Sequence, residues 1–345
     1  MADNRLHWVD VAKGILILLV VLGHFSGISK TLGIDHSGVR DVGGLNFLFT
    51  SFYMAAFFVL TGYTSNFQKN FSVFFVSSFR SLLVPAFSFS VIYLFLLAFL
   101  FKDGSYIRSL TGFEYWYSGF KFYWFLNALF LSRICYWWLF HYVPSDATKG
   151  GLLYVLMIIG LYLSSLYRDA PGSPISHNPF FVHHFMRMAF FLWIGQMFRK
   201  HESQISSNNL LVWGVIFVCT SVLLKAFGIR IPTANYTTNF DFTILEVLKY
   251  MFFTISGSGI IIYVAKRLGR NSLLEYFGRN SLVVYVTHFC IIRYVYFYTK
   301  PMLQFSDSRI WGCFYSLCVV ILTYVICYYT INMMSKRPFS WLLGK

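Results

Sequence analysis

Residues 8–24 read WVDVAKGILILLVVLGH, and the fold turns on this stretch. Between Lys13 and His24 every residue is Gly, Ile, Leu or Val, and the apolar run continues past Phe25. A helix needs about 20 such residues to cross a bilayer core of about 30 Å. The stretch is therefore a membrane span with a histidine inside it. Lys13 and His24 are close to three helical turns apart, so they share one face at a separation of about 16 Å along the axis. Asp10, one turn before Lys13, joins that stripe. Ionisable groups facing lipid are costly, so the stripe must face protein or a watery cavity.

The rest of the chain repeats the pattern. Its 345 residues are 57% hydrophobic, 21% aromatic and only 12% charged, with mean hydropathy +0.60. That apolar content exceeds what one soluble core buries. Spans are expected near 8–28, 46–66, 82–101, 119–140, 151–167, 180–198, 210–228, 245–265, 281–299 and 309–334. The expected fold is all-α, a polytopic membrane protein of about ten transmembrane helices forming a single domain over 1–345. The fourth span is weakened by Lys121 and Arg133, the sixth by His183, His184 and Arg187. No small-residue cleavage site follows the first span, so it is expected to persist in the mature chain.

An even number of spans puts both termini on one side. Loops on that side carry Lys69, Arg80, Lys149, Arg199 and Lys200, then Lys266, Arg267, Arg270 and Arg279. The opposite loops hold fewer cations, among them Lys30, Arg40, Lys102, Arg108, Arg168, Arg230, Lys300 and Arg309. The positive-inside rule then makes both termini cytoplasmic and explains most of the net charge of +15. Basic and aromatic residues do not interleave in any soluble segment, which argues against nucleic acid as a partner. Cys135, Cys219, Cys290, Cys313, Cys318 and Cys327 lie in apolar stretches without ligand spacing, so neither a disulfide framework nor a metal site is expected. Of the cations inside spans, Lys121, Lys225 and Lys249 lie near helix ends and are expected to snorkel. Arg187 sits deeper, and Arg133 and Arg293 complete the set.

Five stretches, in order, carry a resemblance. The opening WVDVAKGILILLVVLGH resembles the first helix of the membrane-bound acyltransferase family 3, whose hallmark is a basic residue, ten intervening residues and a histidine. FYMAAFFVLTGY (52–63) resembles the second-helix motif, FRSLLVP (79–85) the arginine and proline that open the third helix, FYWFLNALF (122–130) the fourth-helix Trp-Phe-Leu, and GRNSLVVYVTH (278–288) a late helix with a histidine. The resemblance covers nearly the whole chain, and DVAKGI (10–15) is similar to the fucose 4-O-acetylase-like branch. Lys13 stands where the family more often has arginine, so bidentate recognition is lost while a point charge remains.

The resemblance implies an O-acyltransferase that moves acetyl, or another short acyl group, from acyl-CoA to a hydroxyl of a cell-envelope or exopolysaccharide sugar. Acetyl-CoA is then a donor substrate, with no bound cofactor. The acceptor would be an envelope glycan or a lipid-linked sugar, and the setting the plasma membrane, in bacteria the inner one. A glycan transporter of the same architecture is the alternative.

Within the enzyme reading, His24 is the candidate base or acyl carrier, because a neutral imidazole suits proton transfer near neutral pH. Lys13, with Asp10 in its stripe and Arg80 and the basic 266–279 loop nearby, is the candidate for the donor's phosphates. Arg187 with His183 and His184 could hold a thioester carbonyl or substrate hydroxyls, or could be a hydrogen-bonded cluster that stabilises the bundle. Trp124 lies in the fourth-helix motif, and His288 is a second histidine candidate. GRNSLLEY (269–276) recurs as GRNSLVVY (278–285). The second copy is expected to start a helix capped by Asn280 or Ser281, whose N-terminus could receive an anion, and the first to lie in a loop. The aromatic stretches 111–125 and 229–242 read as an interfacial belt or as stacking faces for sugars.

Overall fold

The computed structural model describes residues 6–117, 123–166, 179–229, 231, 242–336 and 339–344. Lys121, and most of the aromatic stretch 229–242, lie outside the described residues. Helices follow one another as α1 (His7–Thr31), α2 (Ser37–Gly44), α3 (Tyr53–Thr64), α4 (Phe71–Ser78), α5 (Val84–Phe101), α6 (Trp124–Tyr142), α7 (Asp146–Leu166), α8 (Val182–His201), α9 (Ser207–Ala226), α10 (Ile244–Leu268), α11 (Ser272–Arg279), α12 (Ser281–Thr299) and α13 (Arg309–Met334). No strand occurs among the described residues. The protein is an all-α polytopic membrane protein.

Among the described residues, eight segments are long and apolar enough to cross a bilayer, from His7–Ser29 to Arg309–Met334. The two expected spans missing from that set are α6 and α8, which are helical but carry Arg133 and the His183, His184, Arg187 group. They tolerate these residues because α8 is walled in by α3, α6 and α7. Arg133 donates from Nε to Ser78 Oγ at 3.2 Å and lies over the Phe74 ring. Lys249 pairs with Glu246, and Lys225 lies over the Phe47 ring.

Local sequence explains several boundaries. Ser206, Thr243, Asn271 and Ser308 cap α9, α10, α11 and α13 by accepting backbone N–H bonds. The first GRNS copy is thus a helix start and not a loop: Gly269, at φ +59°, ends α10 and Asn271 starts α11. Pro85 explains the join between α4 and α5. It has no N–H to continue the i→i−4 ladder, and the turn over Phe79–Leu83 widens so that Val84 N–H bonds to Phe79 O, five residues back.

Two glycine contacts set the helix spacing. A Cβ at Gly278 of α11 would run into the Asp10 carbonyl of α1, and one at Gly14 into the Leu274 carbonyl. Gly62 of α3 and Gly195 of α8 approach Leu192 and Val59 backbone in the same way. Small residues of this kind let membrane helices meet backbone to backbone.

Both ends of the chain reach one face. There His7 bonds to Glu275, Tyr63 and Lys266 to Glu202, and Tyr276 to Asn332, while Gly344 abuts the Arg80 backbone. On the opposite, distal face Asp41 pairs with Arg309 and His36 with the Ser306 carbonyl. The even number of crossings expected from the sequence follows directly.

Candidate functional site

The stripe on α1 divides between two surroundings. Asp10 is held in an ion cluster at the terminal face, where Arg279 donates from Nε at 3.2 Å and also bonds to Glu275, itself bonded to His7 at 3.0 Å. The His7 hydrogen bond outweighs burial and, with the Arg279 charge, holds the Glu275 carboxyl below the ordinary carboxylate range. Burial raises the neighbouring Glu202, but the hydrogen bonds from Lys266 and Tyr63 prevail and hold it low as well. Asp10 therefore anchors α11 to α1 through Arg279.

Lys13 sits at a junction. It lines a cavity of about 270 Å3 opening at the terminal face with Asp10, Tyr63, Thr64 and Arg199. It also lines an inner cavity of about 150 Å3 with Ile17, Thr61, Ser81, Phe125, Ser281 and Tyr285. The hydroxyls of Thr61, Ser81 and Ser281 are the polar groups of that inner space, on three different helical segments. The widened turn before Pro85 carries Ser81. Arg199 and the Thr61, Tyr63 pair were not singled out by sequence. Their signal was present only as a loop cation and as the LTGY end of α3.

His24 lies farther along the same face. Its ring is 5.2 Å from His288 and 4.3 Å from Phe289, centroid to centroid. His288 Nδ1 lies 3.1 Å from the Val284 carbonyl and 2.7 Å from that of Tyr285. Carbonyl oxygens only accept, so Nδ1 carries the proton and Nε2 keeps its lone pair. That Nε2 is buried without a hydrogen-bond partner among the described residues. Tyr285, whose ring is 5.9 Å from His288, also lines the inner cavity, so its ring connects the wall of that cavity to the histidine pair. The late-helix histidine is thus the immediate neighbour of the first-helix histidine.

The Arg187 group forms a second cluster. Arg187, 1% exposed, donates from Nη2 to His184 Nδ1 at 2.6 Å, and His184 stacks on Trp124 at 4.2 Å. His183 lies against His184 at 4.1 Å. None of the four lines the inner cavity, and Trp124 reaches it only through Phe125, which packs on Tyr285 at 5.3 Å. The group packs between α6 and α8, apart from the inner cavity.

Two expectations need correction. Arg80 is exposed at the widened turn and does not line either Lys13 cavity; its neighbour Ser81, also exposed, is the residue of that turn that lines the inner one. Asn280 precedes α12 but makes no capping bond. Its Nδ2 donates back to Tyr276 O at 2.9 Å, because α11 runs almost directly into α12. Ser281, not Asn280, faces the cavity.

The acyltransferase domain family matches residues 6–328, nearly the whole chain. No curated protein and no solved structure matches it. With a match spanning all but the last helix turns, the chain belongs to the membrane-bound acyltransferase family 3, transferases of acyl groups.

Proposed function

We propose that the protein is an O-acyltransferase that moves acetyl from acetyl-CoA to a hydroxyl of an envelope sugar. The observation that carries this reading is that two cavities share Lys13 in their walls, the inner one also walled by Tyr285, whose ring neighbours His288 beside His24. Lys13 and Arg199 in the wall of the outer cavity offer positive charge to the donor's phosphates. The Thr61, Ser81 and Ser281 hydroxyls line the narrower space that would take the pantetheine arm and thioester.

In the transfer step His24 accepts the proton of the sugar hydroxyl as its oxygen bonds to the thioester carbonyl carbon. The carbon–sulfur bond breaks, and the CoA thiolate leaves and is protonated in turn. His288 acts as a positioning residue: its unprotonated Nε2 is an acceptor beside the imidazolium that forms at His24, as the third group does in a Ser-His-Asp triad. Arg187, His183, His184 and Trp124 brace the helices behind this path.

The test is transfer of labelled acetyl from acetyl-CoA to envelope glycan in membranes holding equal amounts of wild type, His24→Ala or Lys13→Ala. Loss of about 10²–10⁴-fold with His24→Ala is expected of a general base. Lys13→Ala is expected to raise the KM for acetyl-CoA more than it lowers kcat. A fully active His24→Ala protein would overturn the mechanism.

A further inference from the structure

Pro85 leaves one carbonyl of the widened turn without a helix donor. In a regular helix the Arg80 carbonyl accepts from the N–H of residue 84, and in a widened turn from that of residue 85. Val84 N–H is spent on Phe79 O, and Pro85 has no N–H to give. A backbone carbonyl left over in this way calls for another partner. Gly344 is what lies against it. Gly344 ends a short segment that follows α13, in which Phe339–Leu343 form a 3-10 helix packed on α5 and α13. Leu342 and Leu343 are buried there, while Phe339 and Trp341 are exposed. Gly344 N–H closes on the Trp341 carbonyl at 2.9 Å, and Gly344 adopts φ +72°. Glycine takes this left-handed conformation at little cost, whereas an L side chain is strained in it. A Cβ at Gly344 would run into the Arg80 oxygen, so the hydrogen in its place points at that oxygen. That is the arrangement of a weak Cα–H···O contact.

The same turn walls the inner cavity. Ser81 and Leu82, the two residues after Arg80, both line it, together with Lys13 and Ile17 of α1. Ser81 Oγ donates back to Ser77 O at 2.8 Å, so its hydroxyl is tied to the backbone of its own helix. The place of the Arg80 peptide therefore sets where Ser81 and Leu82 stand in the wall. Neither Gly344 nor the 3-10 helix before it lines this cavity or the outer one.

We propose that Gly344 is a positioning residue: with Phe339–Leu343 it forms a latch on the Arg80 peptide, and through that peptide it holds the Ser81 and Leu82 wall of the inner cavity. This rests on the reading of that cavity as the place of the donor's pantetheine arm and thioester. Donor affinity then depends on a segment that the donor does not touch. Pro85 and Gly344 act as a pair, since the proline withholds the hydrogen bond that would make the latch unnecessary.

The test has two readouts, and the first needs no acyl donor. Amide hydrogen exchange of the full chain in detergent is followed by mass spectrometry over residues 79–86, with peptides of α13 as the control. Gly344→Ala is expected to speed exchange over the turn about fivefold or more while α13 keeps its wild-type rate. In a Pro85→Ala background residue 85 supplies an N–H for the Arg80 carbonyl, so there Gly344→Ala is expected to change exchange by less than about twofold. Leu343→Ala removes a buried anchor without backbone strain and is expected to act in the same direction. It carries the test if Gly344→Ala lowers the melting temperature of the whole chain. Exchange over 79–86 that is unchanged in both variants, or raised equally in the Pro85→Ala background, overturns the proposal. The second readout is acetyl transfer: Gly344→Ala is expected to raise the KM for acetyl-CoA severalfold with kcat within about twofold, a split that general loss of stability does not produce. Faster exchange at the turn with an unchanged KM overturns the link to the donor. Faster exchange at the turn in a protein whose wild type transfers no acetyl upholds the latch and overturns the enzyme reading.

Discussion

His288→Asn separates the two things His288 does. Its Nδ1–H closes hydrogen bonds to the Val284 and Tyr285 carbonyls, and its Nε2 lies open beside His24. Asparagine keeps the first and deletes the second, because its amide nitrogen sits about where Nδ1 does and can bond back one turn, as Asn280 does to Tyr276 in this same chain. A hydrogen bond to a charged group contributes about 1.5–3 kcal/mol. At about 1.36 kcal/mol per decade, losing the acceptor for the His24 imidazolium lowers the transfer rate about 10–150-fold. The assay is labelled acetyl transfer from acetyl-CoA as a function of pH, with melting temperature as a folding control. The rate should fall by that factor and its pH dependence should move, since a purely structural residue would leave the profile in place. His288→Gln reaches toward the Nε2 position but breaks the back-bond, so it should be less stable and no more active. A well-folded His288→Asn protein within twofold of wild type, with the same pH profile, would refute the positioning role.

Two further outcomes follow from the packing and the terminal-face ion cluster. Gly195→Leu places side-chain atoms against the Val59 carbonyl and should lower stability by about 1–3 kcal/mol or more in thermal melts, whereas Gly259→Ala, whose Cβ meets only Leu210 at 3.6 Å, should not destabilise through clash. Glu202 and Glu275 are both held below the ordinary carboxylate range, so the stability they contribute is present at neutral pH and is lost as pH falls through their lowered folded-state values. Melting temperature should therefore drop in acid, and Glu275→Gln should flatten part of that drop while lowering the neutral value; an acid response identical to wild type would exclude the cluster as its source.

Much of the architecture was legible because membrane insertion is governed by local composition. Runs such as 14–23 fix spans, and their even number places both ends on one face, as the structure shows. The two weak spans are legible from their polar residues, which α6 and α8 accommodate by packing against neighbouring helices. The caps were partly legible too. Asn271 behaves as its residue type predicts, while Asn280 does not, since a helix directly preceding it offers a carbonyl that its side chain prefers.

The sequence by itself determined the helices, their shared depth in the membrane and the Lys13 and His24 face of α1, because each depends on periodicity within one segment. Tertiary structure alone decided which faces meet. It set His288 beside His24, tied Asp10 to Arg279, turned Arg199 toward Lys13 and drew Arg187 behind Trp124. The physical reason is that partners in an apolar bundle are chosen by shape, at backbone contacts such as Gly14 with Leu274 and Gly195 with Val59. A hydropathy pattern tells a helix to leave water, but in a membrane every neighbour is apolar, so only the fit of small residues against opposing backbone selects one.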